Sequence, residues 1–300
     1  MKIKNIIRLL LLIFLGFAVS RFCQKQTDGF SIVGISSDRP HNPAWDTREL
    51  TTEESQNLNE ALNQRYSYFG CGGQSFIFFS EDDKYAIKLF KQRVFTVPFW
   101  LRHFPIPYIL DRYRAKKTWI REDKIQRDFG SYKIAFEDLN EFSGLIYIHL
   151  NKTNDLKKKL TIIDRLKIAH TIDLDQFDFI IQKKGELVHE RIARAMSQGE
   201  TEVAKQLIKN VFHMIHTRCQ MGYHDRDPNI RTNSGFLGEK PIKIDLGRFV
   251  YNHKMRCPEV YTKEFKRITD PFGAWISEKY PTLSQFFKEE QERSLSAVAN

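Results

Sequence analysis

The sequence predicts an α+β protein of two lobes, a small β-rich one followed by a truncated, mostly helical one. Three observations carry this. Aromatic and β-branched runs crowd the first part, as in "YSYFGCGGQSFIFFS" and "YAIKLF" between Tyr66 and Phe90. The clearest helical pattern comes later: Val203, Leu207, Ile208, Val211, Phe212, Ile215 and Cys219 recur at three- and four-residue steps. Finally, about fifty residues of helical character close the chain.

Composition narrows the function classes. With 300 residues, 41% hydrophobic and 28% charged, the chain can build one large or two modest cores. A net charge of +10 favours anionic partners without choosing among nucleotides, nucleic acid and an anionic membrane face. Cys23, Cys71, Cys219 and Cys257 form no Cys-x-x-Cys pair, which argues against a zinc site or a disulfide scaffold. No Gly-x-Ser-x-Gly is present, and "HERIAR" at 189–194 lacks the second histidine of a zinc protease.

The elements follow in order. Lys2, Lys4 and Arg8 precede an apolar run from Leu9 to Val19, a positive segment and then a hydrophobic one. Residues 1–23 therefore read as a signal peptide or membrane anchor, and the protein is expected to be membrane-associated or exported. The apolar run falls short of the roughly 20 residues of a spanning helix. Residues 24–50, polar and rich in Gly, Pro, Ser and Asn, read as a linker. Residues 51–300 read as one two-lobed domain, with a first lobe over about 51–182 and a second over about 183–300. "TTEESQNLNEALNQRY" predicts a helix capped by Thr52, with Glu54 in its first turn. Then comes a Gly-rich turn at 69–76 and a hairpin turning at 80–84, with its second strand at Tyr85–Phe90.

Residues 91–127 are basic, aromatic and proline-punctuated, and read as an insertion with some helix. Phe95, Phe99, Trp100, Phe104 and Tyr108 lie there among Arg102, Arg112, Arg114, Lys116 and Lys117. A packed subdomain is the first reading. An anionic membrane surface is a candidate partner ahead of nucleic acid, which is not expected to bind. "SYKIAFEDLNEF" reads as helix up to Gly144, followed by strands in "GLIYIHL", "LTIIDRLKIAHTIDLD" and "FDFIIQKK". The long helix from Glu200 stops at Gly222.

"GYHDRDPNIRTNSGFLGEKPIKIDLGRF", residues 222–249, carries the chemistry. Gly235–Leu237 can form one strand, Gly238–Pro241 a turn, and the alternating Ile242, Ile244 and Leu246 a second strand. Such a hairpin sets Asn233 beside Asp245. Two oxygen-bearing side chains there can share Mg²⁺, which uses only one or two protein groups together with phosphate oxygens. Asp225 and Asp227 sit on the preceding loop, where a carboxylate can accept the proton of an attacking hydroxyl.

On these residues the stretch resembles the catalytic loop and Asp-Phe-Gly segment of the protein-kinase-like superfamily. Asp227 and Asp245 are eighteen residues apart, the separation the resemblance implies, and Arg226 precedes Asp227. Asp227 is thus the expected catalytic aspartate. Asn233, six residues on, opens the hairpin and is the expected metal partner of Asp245, although that spacing is one residue longer than the pattern. The pair Asp225 and Asn229 stays open as the alternative. Upstream, Gly70, Gly72 and Gly73, with Lys88 in "AIKLF", resemble the superfamily's Gly-rich turn and strand lysine. The resemblance implies that they take the phosphates of ATP. It further implies a helix glutamate that positions Lys88, here Glu137 with Glu141 as runner-up, and places Gln182 near the adenine edge.

The match runs over about residues 66–250, with ATP and Mg²⁺ as the implied ligands and an acceptor that the sequence does not name. No Ala-Pro-Glu follows Asp245, which puts a protein substrate in doubt. An inactive pseudokinase, a membrane-tethered binding or scaffold protein, is the alternative reading. The run "RDPNIRTNSGF…IDLGRF" also has the look of proteins from chlamydia-related bacteria, a likeness that implies no function.

Overall fold

A computed structural model describes residues 3–104 and 110–299; Lys2, Tyr108 and the side chain of Phe99 lie outside that description. In chain order the helices are α1 (Ile3–Gln26), α2 (Ile32–Ile35), α3 (Thr52–Leu62), α4 (Gln92–Phe95), α5 (Phe99–His103), α6 (Asp111–Glu137), α7 (Val188–Ser197), α8 (Thr201–Gln220), α9 (Ile230–Asn233), α10 (Pro258–Lys279) and α11 (Pro281–Ala299). The strands are β1 (Tyr66–Cys71), β2 (Ser75–Ser80), β3 (Tyr85–Phe90), β4 (Leu145–His149), β5 (Lys159–Ile163), β6 (Ala169–Asp173), β7 (Phe179–Lys183), β8 (Glu186–Leu187), β9 (Tyr223–Asp225), β10 (Ser234–Leu237), β11 (Lys240–Lys243) and β12 (Phe249–Tyr251). The protein is a mixed α+β chain, β-rich first and mostly helical later. It forms two compact units: residues 1–46, 50–122 and 149–181, and residues 47–49, 123–148 and 182–300.

In the first unit the strands hydrogen-bond in the order β7–β3–β2–β1–β5–β6. β1, β2 and β3 form the antiparallel meander that the turn residues predict, β5 joins β1 in parallel, and β6 returns on β5. β3 is buried along its whole length, as its near-continuous apolar run requires. α3 begins one residue earlier than its sequence suggests. Thr51 is the cap, its hydroxyl accepting the Glu54 amide while the Glu54 carboxylate accepts the Thr51 amide, a reciprocal capping box.

The segment expected to be a linker folds onto this unit. Asp28 and Gly29 take positive φ, 51° and 75°, and reverse the chain after α1. Phe30 then packs edge-on against Phe76 and Phe78 at 5.2 and 5.4 Å between ring centroids. Ile35 and Trp45 are buried as well. Arg39 carries its charge inward to the buried Asp178, which also accepts from Gln92. Four buried apolar or ion-paired anchors outweigh the polar composition that suggested a linker.

α6 differs from expectation in length. It is one helix of 27 residues that joins the basic insertion to the helix carrying Glu137, and it ends at Glu137 rather than continuing toward Gly144. A short 3-10 turn over Asn140–Phe142 follows. The unit boundary falls within this helix, after Glu122.

In the second unit α8 buries Leu207, Ile208, Val211, Phe212, Ile215 and Cys219, the stripe read from its periodicity. At about 1.5–3 kcal/mol per fully buried large apolar side chain, this face is the chief local reason the helix holds. It packs in one cluster with Tyr261, Phe265 and Phe272 of α10 and Leu283 and Phe287 of α11. Gly222 ends α8 at φ 87°. β10 pairs with β11 in a hairpin and with β8 on its other edge. β11 stops at Lys243, so the strand is shorter than the alternation of Ile242, Ile244 and Leu246 predicts: the Ile244 amide turns to the Asn233 carbonyl at 2.8 Å.

Candidate active site

The acidic stretch belongs wholly to the second unit, and its two aspartates have opposite environments. Asp225 ends β9, opposite Phe249 of β12, and is 3% exposed. Lys243 Nζ lies 2.8 Å from its Oδ2, Arg218 NH1 lies 3.6 Å away, and its Oδ1 accepts the Asp227 amide at 2.9 Å. Burial pushes this carboxyl up, but Lys243 and Arg218 together outweigh burial and hold it below the usual carboxylate range. Glu264 of α10 completes the cluster, accepting from Arg218 and Arg267. Its Oε2 is 3.3 Å from His224 Nδ1, outside hydrogen-bond geometry. Burial, ahead of the opposing charge of Glu264, keeps His224 below its ordinary pKa.

Asp227, two residues on, is exposed. Its amide is held by Asp225. Its carbonyl accepts from Lys243 Nζ at 3.0 Å and from Asn233 Nδ2 at 3.3 Å. The Asp227 carboxylate is thus presented to solvent by a backbone fixed at both polar ends.

Asn233 ends α9, and its carbonyl accepts the amides of Ile244 and Asp245 at 2.8 and 3.3 Å. The hairpin therefore sets Asn233 against Asp245, as the sequence pattern predicts. Asp245 is exposed, with Oδ1 accepting the Gly247 amide at 3.3 Å. Asn233 and Asp245 are oxygen-bearing residues on adjoining backbone, the residue types that could hold a Mg²⁺ whose remaining shell is water and phosphate oxygens. Asn229 is differently employed. Its Oδ1 caps α9, accepting the amides of Arg231 and Thr232. Of the two aspartates left open by spacing, Asp227 is the exposed one and Asp225 is buried in holding the loop. Both asparagines make local hydrogen bonds, Asn233 Oδ1 accepting the Thr232 hydroxyl at 3.0 Å, and it is Asn233 that adjoins Asp245.

α6 packs its Ser131 face on this loop. Ser131 Oγ donates to the Leu246 carbonyl and accepts the Phe249 amide at 2.6 Å. Burial first, then the charges of Asp245 and Asp128, hold the neighbouring Tyr132 phenol well above its usual pKa. Asp128, fully buried and paired with Lys124 and Arg127, was not singled out by sequence. Its apolar flanks, Phe129 and Tyr132, were the available signal. Glu137, at the end of the same helix, accepts the Arg48 amide at 3.3 Å and sits 3.9 Å from Lys133 Nζ. Glu141 follows in the 3-10 turn. Gln182, expected at an adenine edge, is 2% exposed, and its Nε2 donates to the carbonyls of Ser143 and Lys243 at 2.6 and 2.7 Å. Its side chain ties the end of β7 to the hairpin.

The remaining candidates belong to the first unit. Gly70 follows a register shift in β1, and the Gly72 amide donates to Ser75 at 2.9 Å to close the turn. A Cβ placed on Gly70, Gly72 or Gly73 would meet nothing within 4 Å, and none of the three has positive φ. Packing within the unit therefore does not demand glycine there. Lys88 is buried in β3, opposite Ile77. Lys91, missed by the sequence reading, pins the turn: its Nζ donates to the Gly72 carbonyl at 2.6 Å and lies 4.6 Å from the Phe76 ring centre.

No protein-family model and no curated protein matches the chain. Solved structures do resemble it. The bifunctional kinase-methyltransferase WbdD is 13% identical over 75% of this chain and 46% of its own, with a TM-score of 0.35. ROP2 from Toxoplasma gondii, a virulence factor with a protein-kinase fold and no enzymatic activity, is 12% identical over 73% and 63%, with a TM-score of 0.30. Rv3197 from Mycobacterium tuberculosis, solved with erythromycin, is 10% identical over 92% and 75%, again at 0.30. The chain spans about half the length of WbdD, 48% in one of its structures. These are likenesses of fold alone.

Proposed function

We propose that the protein is an atypical kinase-like phosphotransferase that binds ATP with Mg²⁺. The observation that carries this is the arrangement Asp227–Asn233–Asp245: two exposed carboxylates and an amide oxygen on one short stretch of cross-linked backbone. A solvated acidic loop does not need the buried support of Asp225, Lys243, Arg218 and Glu264. In this reading Asn233 and Asp245 hold the metal, and Asp227 orients the acceptor hydroxyl and takes its proton as the phosphoryl group transfers. Gly70–Gly73 and Lys88 take the nucleotide phosphates, and Glu137 positions Lys88. Glycines that packing does not require are consistent with a turn kept open for phosphate oxygens. Gln182 offers the adenine its backbone at most, since its side chain is engaged.

The test is thermal unfolding of the full chain in detergent with ATP and Mg²⁺. A rise in Tm that disappears without metal, and in Asp245→Ala, supports the site. Transfer of labelled γ-phosphate that is lost in Asp227→Ala then supports catalysis. No shift at saturating nucleotide in a folded sample overturns the reading.

One observation favours a second reading, an inactive membrane-tethered scaffold. Only residues 252–257 separate β12 from α10, leaving little chain after Asp245 to hold a peptide acceptor. Metal-dependent nucleotide binding without transfer to any acceptor would select it.

A further inference from the structure

α1 is apolar and exposed along its length, and Lys4–Gln26 is long and apolar enough to cross a membrane. Its 23 residues span about 34 Å at 1.5 Å per residue, against about 30 Å of hydrocarbon. The end of α1 is not loose. Asp28 pairs with Arg165 and accepts the Tyr68 hydroxyl at 2.8 Å, and Phe30 is buried two residues later. The first unit is therefore held close to where α1 ends.

Three cations meet at that point. Arg21, Lys25 and Arg93 line an open cleft of about 460 Å³ together with Phe22 and Asp28. Asp28 is already neutralised by Arg165. Among the described residues, no carboxylate pairs with Arg21, Lys25 or Arg93. Arg21 and Lys25 are four residues apart on α1 and share a face. Arg93 belongs to α4, where the basic insertion begins.

The insertion is tied to the same place. A Cβ on Gly29 would sit 3.8 Å from Arg93 NH1. Arg121 of α6 donates to the Val94 carbonyl at 2.7 Å, bringing the far end of the insertion back to its start. Arg102 pairs with Asp38 at 2.9 Å. Residues 91–121 hold eight Lys and Arg against one acid, Asp111, so this segment carries +7 of the chain's net +10. Trp100, Phe104 and Trp119 are exposed there by 52%, 58% and 65%. Exposed Trp among cations suits the headgroup layer, where the ring is partly dehydrated and the cations meet lipid phosphate.

We propose that this platform docks on anionic phospholipid, with Arg21, Lys25 and Arg93 gathered around one headgroup phosphate and Trp100 and Trp119 inserted beside it. The inference rests on α1 being membrane-inserted and is independent of the kinase reading. It makes the first unit a lipid-reading surface as well as a tethered one.

The chain's Trp content makes the test direct. Of its four tryptophans, Trp45 and Trp275 are buried and Trp100 and Trp119 are exposed. Full-length protein is placed in nanodiscs of brominated phosphatidylcholine, with or without phosphatidylglycerol, and Trp quenching is read. We expect quenching several-fold stronger with phosphatidylglycerol, declining as salt rises. In Arg21→Gln/Lys25→Gln/Arg93→Gln it should fall to the neutral-lipid level while the Tm in detergent is unchanged. If that variant does not fold, Arg112→Glu/Lys116→Glu, two exposed positions, should reduce quenching the same way. Equal quenching in both lipids, or no effect of the variants, overturns the proposal. Inorganic phosphate abolishing the lipid effect at matched ionic strength would show a free-anion site and also overturn it. Release of the protein from vesicles by an alkaline carbonate wash would locate the failure in the reading of α1 instead.

Discussion

The Lys243 ammonium lies 2.8 Å from the buried Asp225 carboxylate and 3.0 Å from the Asp227 carbonyl. One cation thus joins the structural acid to the backbone of the accessible one. This relationship separates two aspartates that are two residues apart, and it sets the first expectation.

Asp225→Asn should destabilise the protein by about 3–5 kcal/mol, because Lys243 and Arg218 would keep their burial without their counter-charge. Asp227→Asn, at an exposed carboxylate, should change stability by no more than about 0.5 kcal/mol. In the proposed reading it nevertheless removes phosphoryl transfer. Urea unfolding of both variants beside a transfer assay checks the split. Equal stability losses would contradict the division of labour.

Lys243→Met should cost about 3 kcal/mol for the same reason seen from the other partner. Its effect should not add to that of Asp225→Asn, since the two side chains form one pair. A double-mutant cycle in denaturant measures the coupling. An additive result would mean that the two charges do not depend on one another.

Stability should fall in two steps on acidification. Burial lowers the pKa of His149 and His224 in the folded protein. The unfolded chain therefore takes up those protons first, and their stabilisation is lost as pH falls below about 6.5 toward the folded values. Asp225, Asp164 and Asp175 are held below the usual carboxylate range. Their contribution is present above about 3.9 and is lost as pH falls through their lower folded values. Tm followed from neutral to acid pH checks this, with His149→Gln expected to flatten the upper step.

Gly235→Ala should cost about 1–3 kcal/mol or more through overpacking. Its Cβ would come within 2.7 Å of the Glu186 carbonyl and 2.8 Å of Ile244 Cδ1, where β10 meets β8. Since Ile244 precedes Asp245, the same change should weaken metal-dependent nucleotide stabilisation in the proposed site. Comparing Tm with and without ATP and Mg²⁺ checks both effects.

Phe30→Ala should cost about 3–5 kcal/mol by removing a ring packed on Phe76 and Phe78. It should also open residues 27–46 to protease while leaving the second unit intact. Limited proteolysis with mass mapping reads both, and unchanged protection would mean that Ile35 and Trp45 hold the segment unaided.

Much of this protein was legible from local patterns. The stripe from Val203 to Cys219, the Gly222 stop, the meander from Tyr66 to Phe90 and the hairpin that sets Asn233 against Asp245 all rest on preferences expressed within a few residues. The sequence by itself determined these, along with the apolar segment at the N-terminus. Tertiary structure alone decided what distant partners do to identical side chains. Asp225 and Asp227 look interchangeable in "HDRD" until Lys243, Arg218 and Glu264 converge on the first and leave the second in water. Gln182 reads as a residue near an adenine edge, and only the fold shows its side chain held by two carbonyls. Residues 24–50 look like a linker until Phe30, Ile35 and Trp45 are buried. Helix and turn propensities are short-range steric and hydrogen-bonding effects, whereas burial and charge pairing depend on groups brought together from across the chain.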